Sequence, residues 1–157
     1  MRLLFIRHGD PDYENDTVTE KGKREVELLA QRAESLELGH CFVSPLGRAQ
    51  DTAAPSLART EKNAETLDWL EEFPAKIDLN KVPHLIKAYP DTKTEGGRYL
   101  PRIIWDVVPS YWTEHSEYSD SEKWRTTEIS CNSDLVETYD RVTGEFDRLL
   151  EQYGYVR

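Results

Sequence analysis

Residues 3–9 read Leu-Leu-Phe-Ile-Arg-His-Gly. Four apolar side chains in a row, closed by Arg7-His8-Gly9-Asp10-Pro11, predict a short strand buried on both faces, because Gly9 and Pro11 forbid simple continuation. His8 then falls at the strand's C-terminal end. Beyond it, apolar residues recur at Val26, Leu29, Ala30, Ala33 and Leu36, a helical face that Thr19 caps in front and Gly39 terminates behind. Cys41-Phe42-Val43 is a second short apolar run. Ser44-Pro45 after it has the N-cap and first-turn signature of a helix carrying Leu46, Arg48, Ala49 and Ala53, which Pro55 should end or kink. Strand, helix, strand, helix in this order argues for an α/β fold with a largely parallel sheet. Such sheets bind ligands outside the carboxyl ends of their strands, where His8 and Ser44 both fall.

A chain of 157 residues, 38% of them hydrophobic, has enough for one core and is read as a single domain, 1–157. The stretch 74–132 is less regular. Pro83, Pro90, Pro101 and Pro109 interrupt it, and Trp105, Tyr111, Trp112, Tyr118 and Trp124 gather in its second half, so it is read as an insertion or lid. Leu135, Tyr139, Val142, Phe146, Leu149 and Tyr153 then make a regular apolar stripe, a final helix with Ser133 as cap and Gly154 as stop.

The formal charge of −10 argues against nucleic acid or an anionic membrane surface as a partner, so phosphate recognition has to come from a few local cations. There is no long apolar span and no charged leader with a hydrophobic middle, which makes a cytoplasmic protein the expectation. Cys41 and Cys131 give neither a disulfide framework nor metal-ligand spacing, and neither a metal nor another cofactor is expected.

A phosphoryl group in transfer carries charge on its equatorial oxygens, so a site needs fixed cationic donors, an in-line nucleophile and an acid for the leaving oxygen. Arg7 and Arg48 follow the two predicted strand ends, and a planar guanidinium fork suits bidentate phosphate contact. His8 can attack phosphorus through one neutral ring nitrogen if the other donates its hydrogen to a nearby acceptor. The pair Glu71-Glu72 can supply the acid. Taken alone, each has a plainer reading: a strand-end histidine, a surface arginine, and a solvated pair in a chain with 30 acidic residues.

Taken together, the motifs resemble the histidine phosphatase superfamily, of phosphoglycerate-mutase-like type. Leu3 to Gly9 is similar to its opening strand and Arg-His-Gly signature. Val43-Ser44-Pro45-Leu46-Gly47-Arg48-Ala49-Gln50-Asp51-Thr52-Ala53 is similar to its second block, and Thr19-Glu20-Lys21-Gly22 to its helix start. The resemblance implies a three-layer α/β/α fold and a metal-independent phosphomonoesterase acting on a small-molecule phosphate ester. In it His8 would be phosphorylated, Arg7 and Arg48 would bind phosphate, and Glu72, matching a Leu-x-Glu pattern, would be the acid. The alternatives are a phosphoglycerate mutase and, in another class, a non-catalytic phosphate-binding or interaction domain. Mutase members resemble Arg-His-Gly-Glu-Ser with an asparagine six residues after the histidine. Here Asp10-Pro11 follows, Glu14 takes that place and Asn15 comes one later. The family's second histidine, usually followed by glycine, is matched by none of His40, His84 and His115. The resemblance therefore implies a domain truncated at its C-terminus. The oligomeric state is not legible.

Overall fold

The first long helix begins where the capping pattern places it. In the structure, a computed structural model that describes residues 2–73 and 75–156, the Thr19 hydroxyl accepts the Gly22 N–H at 3.1 Å and opens α1, Glu20–Ala33. Val26, Ala30 and Ala33 are buried on one face of α1, as the periodicity requires. The helix stops well before Gly39. The N–H groups of Ser35 and Leu36 reach back only three residues, to the carbonyls of Arg32 and Ala33, and the Ser35 hydroxyl also takes the Arg32 carbonyl. These tighter turns satisfy the last carbonyls locally, and Leu36 lies outside the helix.

The chain divides into two compact units, Met1–Glu72 and Phe73–Arg157. In the first, β1 (Pro11–Asp12) and β2 (Thr17–Val18) form a small antiparallel pair with Pro11 opposite Val18. Strand β3 (Cys41–Val43) runs parallel to β4 (Ala64–Thr66), with Phe42 opposite Glu65, and α2 (Gly47–Thr60) is the crossover between them. The Leu67 N–H donates to the Val43 carbonyl at 3.0 Å and extends this ladder toward a 3-10 turn at Asp68–Leu70. Helix and strand alternate here in the α/β manner that the sequence order predicts.

Besides Gly39 as the stop of α1 and Ser44 as the N-cap of α2, whose place Leu46 takes without a side-chain cap bond, two further expectations are not met in this unit. Residues 2–9 belong to no strand, and Leu3, Leu4, Phe5 and Ile6 are 47%, 45%, 81% and 49% exposed rather than buried on both faces. An apolar run is buried only where other elements cover it; here α1 and α2 pack on each other, and the first unit leaves this segment largely uncovered. The parallel sheet is accordingly the β3–β4 pair among the described residues. Secondly, Pro55 does not end α2, which continues five residues beyond it. The lost hydrogen bond is outweighed by packing against α1 and by Arg59, whose guanidinium binds Glu27 and, at 3.2 Å, Glu34.

In the second unit β5 (Lys76–Ile77) pairs antiparallel with β8 (Arg102–Ile103), and β6 (Thr94–Glu95) with β7 (Arg98–Tyr99). Ile77, Leu79, Tyr89, Ile104 and Ile129 are its largest fully buried side chains. Short helices α3 (Pro109–Glu114) and α4 (Glu128–Cys131) precede the long α5, Leu135–Gln152. Asp134, not Ser133, is its N-cap residue, and the Ser133 hydroxyl accepts the Leu135 N–H at 3.4 Å. At the other end, Gly154 and Tyr155 donate to the carbonyls of Glu151 and Leu150, a Schellman closure at the expected glycine. Tyr111, Trp112, Tyr118 and Trp124 pack against the core of this unit, and Trp105 is half exposed. Among the described residues no helix is long and apolar enough to cross a membrane.

Candidate functional site

The site is assembled from the segment after Ile6, the β1–β2 turn, the start of α2 and the turn after β4. His8, half-buried, lies where the extended N-terminal segment meets this group. Its Nδ1 is 2.8 Å from the Gly9 carbonyl oxygen. A carbonyl only accepts, so the ring nitrogen is the donor; in the neutral imidazole the hydrogen sits on Nδ1 and Nε2 keeps its lone pair.

Thr52 ties this segment to α2. The Gly9 N–H donates to the Thr52 Oγ1 at 3.0 Å, and the same hydroxyl donates to the Arg48 carbonyl at 2.7 Å one turn earlier. On the far side of the segment, a Cβ on Gly22 would lie 2.5 Å from the Asp10 carbonyl oxygen, so only glycine lets the backbone after His8 rest on α1. Asp10 serves that junction. Its carboxylate accepts the Thr19 hydroxyl at 2.6 Å and Lys21 Nζ at 3.1 Å, contacts that hold its carboxyl below the ordinary range, the Thr19 bond foremost.

Arg48, in the first turn of α2, is 9% exposed. Its Nη1 donates to Asp16 Oδ1 at 2.6 Å and its Nη2 to Glu72 Oε2 at 2.7 Å. Burial works against the guanidinium charge, and the bonds to Glu72 and Asp16 outweigh it, so its pKa is raised above the usual value. The Tyr13 ring lies under the guanidinium, 5.2 Å from its carbon, and meets the His8 ring edge-on at 6.3 Å between centroids.

The structure thus groups Arg48 with Glu72 directly and with His8 through Tyr13 and Thr52. Glu71 is exposed. Arg7 is exposed too, and among the described residues no hydrogen bond or ion pair joins it to His8, Arg48 or Glu72. Asn15, one place away from the asparagine of the mutase pattern, spends its side chain on Asp12, donating to Oδ2 at 2.8 Å within the turn. His84 lies 2.8 Å from Glu128, and His115 stacks on Tyr111 with its Nδ1 2.8 Å from that residue's carbonyl; both belong to the second unit. His40 is exposed just before β3. Asp16, Thr52 and Tyr13 were not singled out from sequence. Thr52 carried a signal, since it stands four residues after Arg48 on the same helical face; Asp16 and Tyr13 reach Arg48 only through the turn's tertiary path.

The first unit thus joins a histidine with one ring nitrogen held as donor, through Tyr13 and Thr52, to a buried arginine at a helix start that follows a parallel strand. The chain belongs to the histidine phosphatase superfamily, branch 1, whose model matches residues 3–95, more than half of its length. It is similar to a probable phosphoglycerate mutase, GpmB, of Cronobacter sakazakii, with 34% identity over an alignment of 62 residues that takes in 34% of this chain and 29% of that protein. The match therefore spans less than a third of the relative's length. No solved structure matches. Among the described residues no cluster of three or more His, Cys, Asp or Glu side chains could hold a metal ion.

Proposed function

We propose that this protein is a phosphomonoesterase acting through a phosphohistidine on a small phosphorylated substrate. The observation that carries the reading is the Nδ1 hydrogen bond of His8, which leaves Nε2 as the lone-pair nitrogen within one aromatic ring of a buried arginine. His8 Nε2 forms the bond to phosphorus as the bond to the leaving oxygen breaks, and Glu72 hands that oxygen its proton. Water then adds to phosphorus, the N–P bond breaks with the electron pair returning to Nε2, and the water's proton goes to Glu72. Arg48, and Arg7 once substrate is bound, stabilise the equatorial oxygens.

The same reading takes the chain as one domain of three-layer α/β/α type with 74–132 as an insertion, in a cytoplasmic protein that needs no metal. Turnover of p-nitrophenyl phosphate, inhibited by vanadate and lost in His8→Ala, is the expected result; a wild-type protein without turnover overturns the reading. The name of the Cronobacter relative keeps a second reading, phosphoglycerate mutase, in view. Interconversion of phosphoglycerates faster than their hydrolysis would establish it instead.

A further inference from the structure

The feature of this site that the proposed chemistry leaves unused is Asp16. Its carboxylate bridges two groups at the start of α2: Oδ2 accepts the Gly47 N–H at 2.6 Å, and Oδ1 accepts Arg48 Nη1 at 2.6 Å. Its backbone is committed as well. Asp16 sits at φ 48°, in the left-handed region that a non-glycine residue enters at a cost, and Asp is among the side chains that tolerate it best. Its carbonyl oxygen rests so close to Gly47 that a Cβ there would approach to 2.2 Å, which bars any other residue from position 47.

A guanidinium has five N–H donors. Asp16 and Glu72 take one each, from opposite ω-nitrogens, while the buried Nε has no hydrogen-bond partner among the described residues. A buried donor without a partner is costly, and an acceptor that reaches it removes that cost.

Building on the proposed function, we infer that Asp16 is a positioning residue: it clasps Arg48 to the helix start so that the unpartnered Nε–H stays directed for a phosphoryl oxygen. Glu72 holds the other ω-nitrogen but is exposed and assigned to proton transfer, so it is the partner free to leave; Asp16, fixed by Gly47 and by its own backbone, is the one that stays. Removing the Asp16 charge favours anion binding in the ground state, while losing the clasp harms alignment in the transition state. The two effects separate in kinetics, with kcat taking the loss and KM changing little.

The test is a double-mutant cycle on the full chain with wild type, Asp16→Asn, Arg48→Lys and the double variant. Asn keeps one acceptor and cannot accept both bonds. Asp16→Asn is expected to lower kcat on p-nitrophenyl phosphate about tenfold with KM within about twofold, and to change kcat less than about twofold in the Arg48→Lys background. Equal losses in both backgrounds, or no loss beside intact Arg48, overturn the inference. If the Asn variant does not fold, as read by its urea unfolding curve, Asp16→Glu runs the same cycle under the same criterion, since it displaces both acceptors by one methylene. If the wild-type protein turns over no phosphate ester, the functional reading falls alone, and calorimetric binding of orthovanadate, which mimics the transition state, reports on the clasp. Vanadate affinity should then fall about tenfold with Asp16→Asn, and only while Arg48 is present. Unchanged affinity, a loss that persists without Arg48, or no binding at all would overturn it.

Discussion

In the first unit the residues packed out of solvent include Arg48, Thr52 and Ser56 beside Val26, Ala30, Ala33 and Val43, whereas the second buries a continuous apolar cluster from Ala75 to Leu135. The polar residues buried in the second unit, Thr127 and Ser130, bond to each other at 2.9 Å and close a helix start. Two of those in the first unit reach across elements: Thr52 to the backbone beside His8, and Arg48 to a turn and to Glu72, two residues past a 3-10 segment. The contrast shows how one chain spends burial in two ways. An apolar cluster gives stability without direction; a buried guanidinium gives direction, at a desolvation cost offset only while its carboxylate partners stay in place.

That division can be broken most sharply at His8. On the proposed mechanism, His8→Ala should cut phosphatase turnover by at least about 10³-fold while leaving the urea unfolding midpoint near that of wild type, because it removes the nitrogen proposed to attack phosphorus from a half-buried position. A folded variant with wild-type turnover would remove chemistry from the first unit altogether.

The opposite pattern is expected in the second unit. Ile104 is fully buried, and Ile104→Ala should cost about 2–5 kcal/mol of stability with kcat per folded molecule unchanged, measured by denaturant unfolding alongside activity. A kcat loss at full folding would show that the apolar unit also directs the chemistry.

Within the site, Arg48→Lys should lower kcat/KM by about 10²-fold, since an ammonium keeps the charge but cannot hold two carboxylates and still offer a third planar donor. Arg7→Lys should cost less, in keeping with the exposure of Arg7. Glu72→Gln should slow alkyl phosphates more than aryl phosphates, whose leaving oxygen needs little protonation. Equal slowing of both would move the acid role elsewhere.

The smallest effect concerns pH. The Gly47 N–H foremost, and then Arg48, hold the Asp16 carboxyl below its ordinary 3.8. A carboxyl with a depressed folded pKa contributes stability above the unfolded value and loses it as pH falls through the folded one. The stability gap between wild type and Asp16→Asn should therefore be constant from about pH 7 to 5 and shrink below about pH 4. A gap that persists at lower pH would mean that geometry rather than charge makes Asp16 matter.

Legibility followed the range of the forces involved. The Thr19 cap, the buried stripe of α1, the Gly154 closure of α5 and the alternation of β3, α2 and β4 depend on contacts a few residues apart, and were readable from residue type and spacing. The motif pair around His8 and Arg48 was readable for the same reason, since each lies in a short continuous block. The fate of Leu3 to Ile6 was not, because an apolar run states a preference for burial and only neighbouring elements can grant it. Nor was the passage of α2 through Pro55, where packing on α1 overrode a local penalty. By itself, then, the sequence determined the family and the local helices, and it named His8, Arg7, Arg48 and Glu72 as the candidates for phosphate chemistry. Tertiary structure alone decided that Asp16, Glu72 and Tyr13 converge on Arg48, because contacts made across 24 to 35 residues depend on the path of the whole first unit and carry no spacing rule.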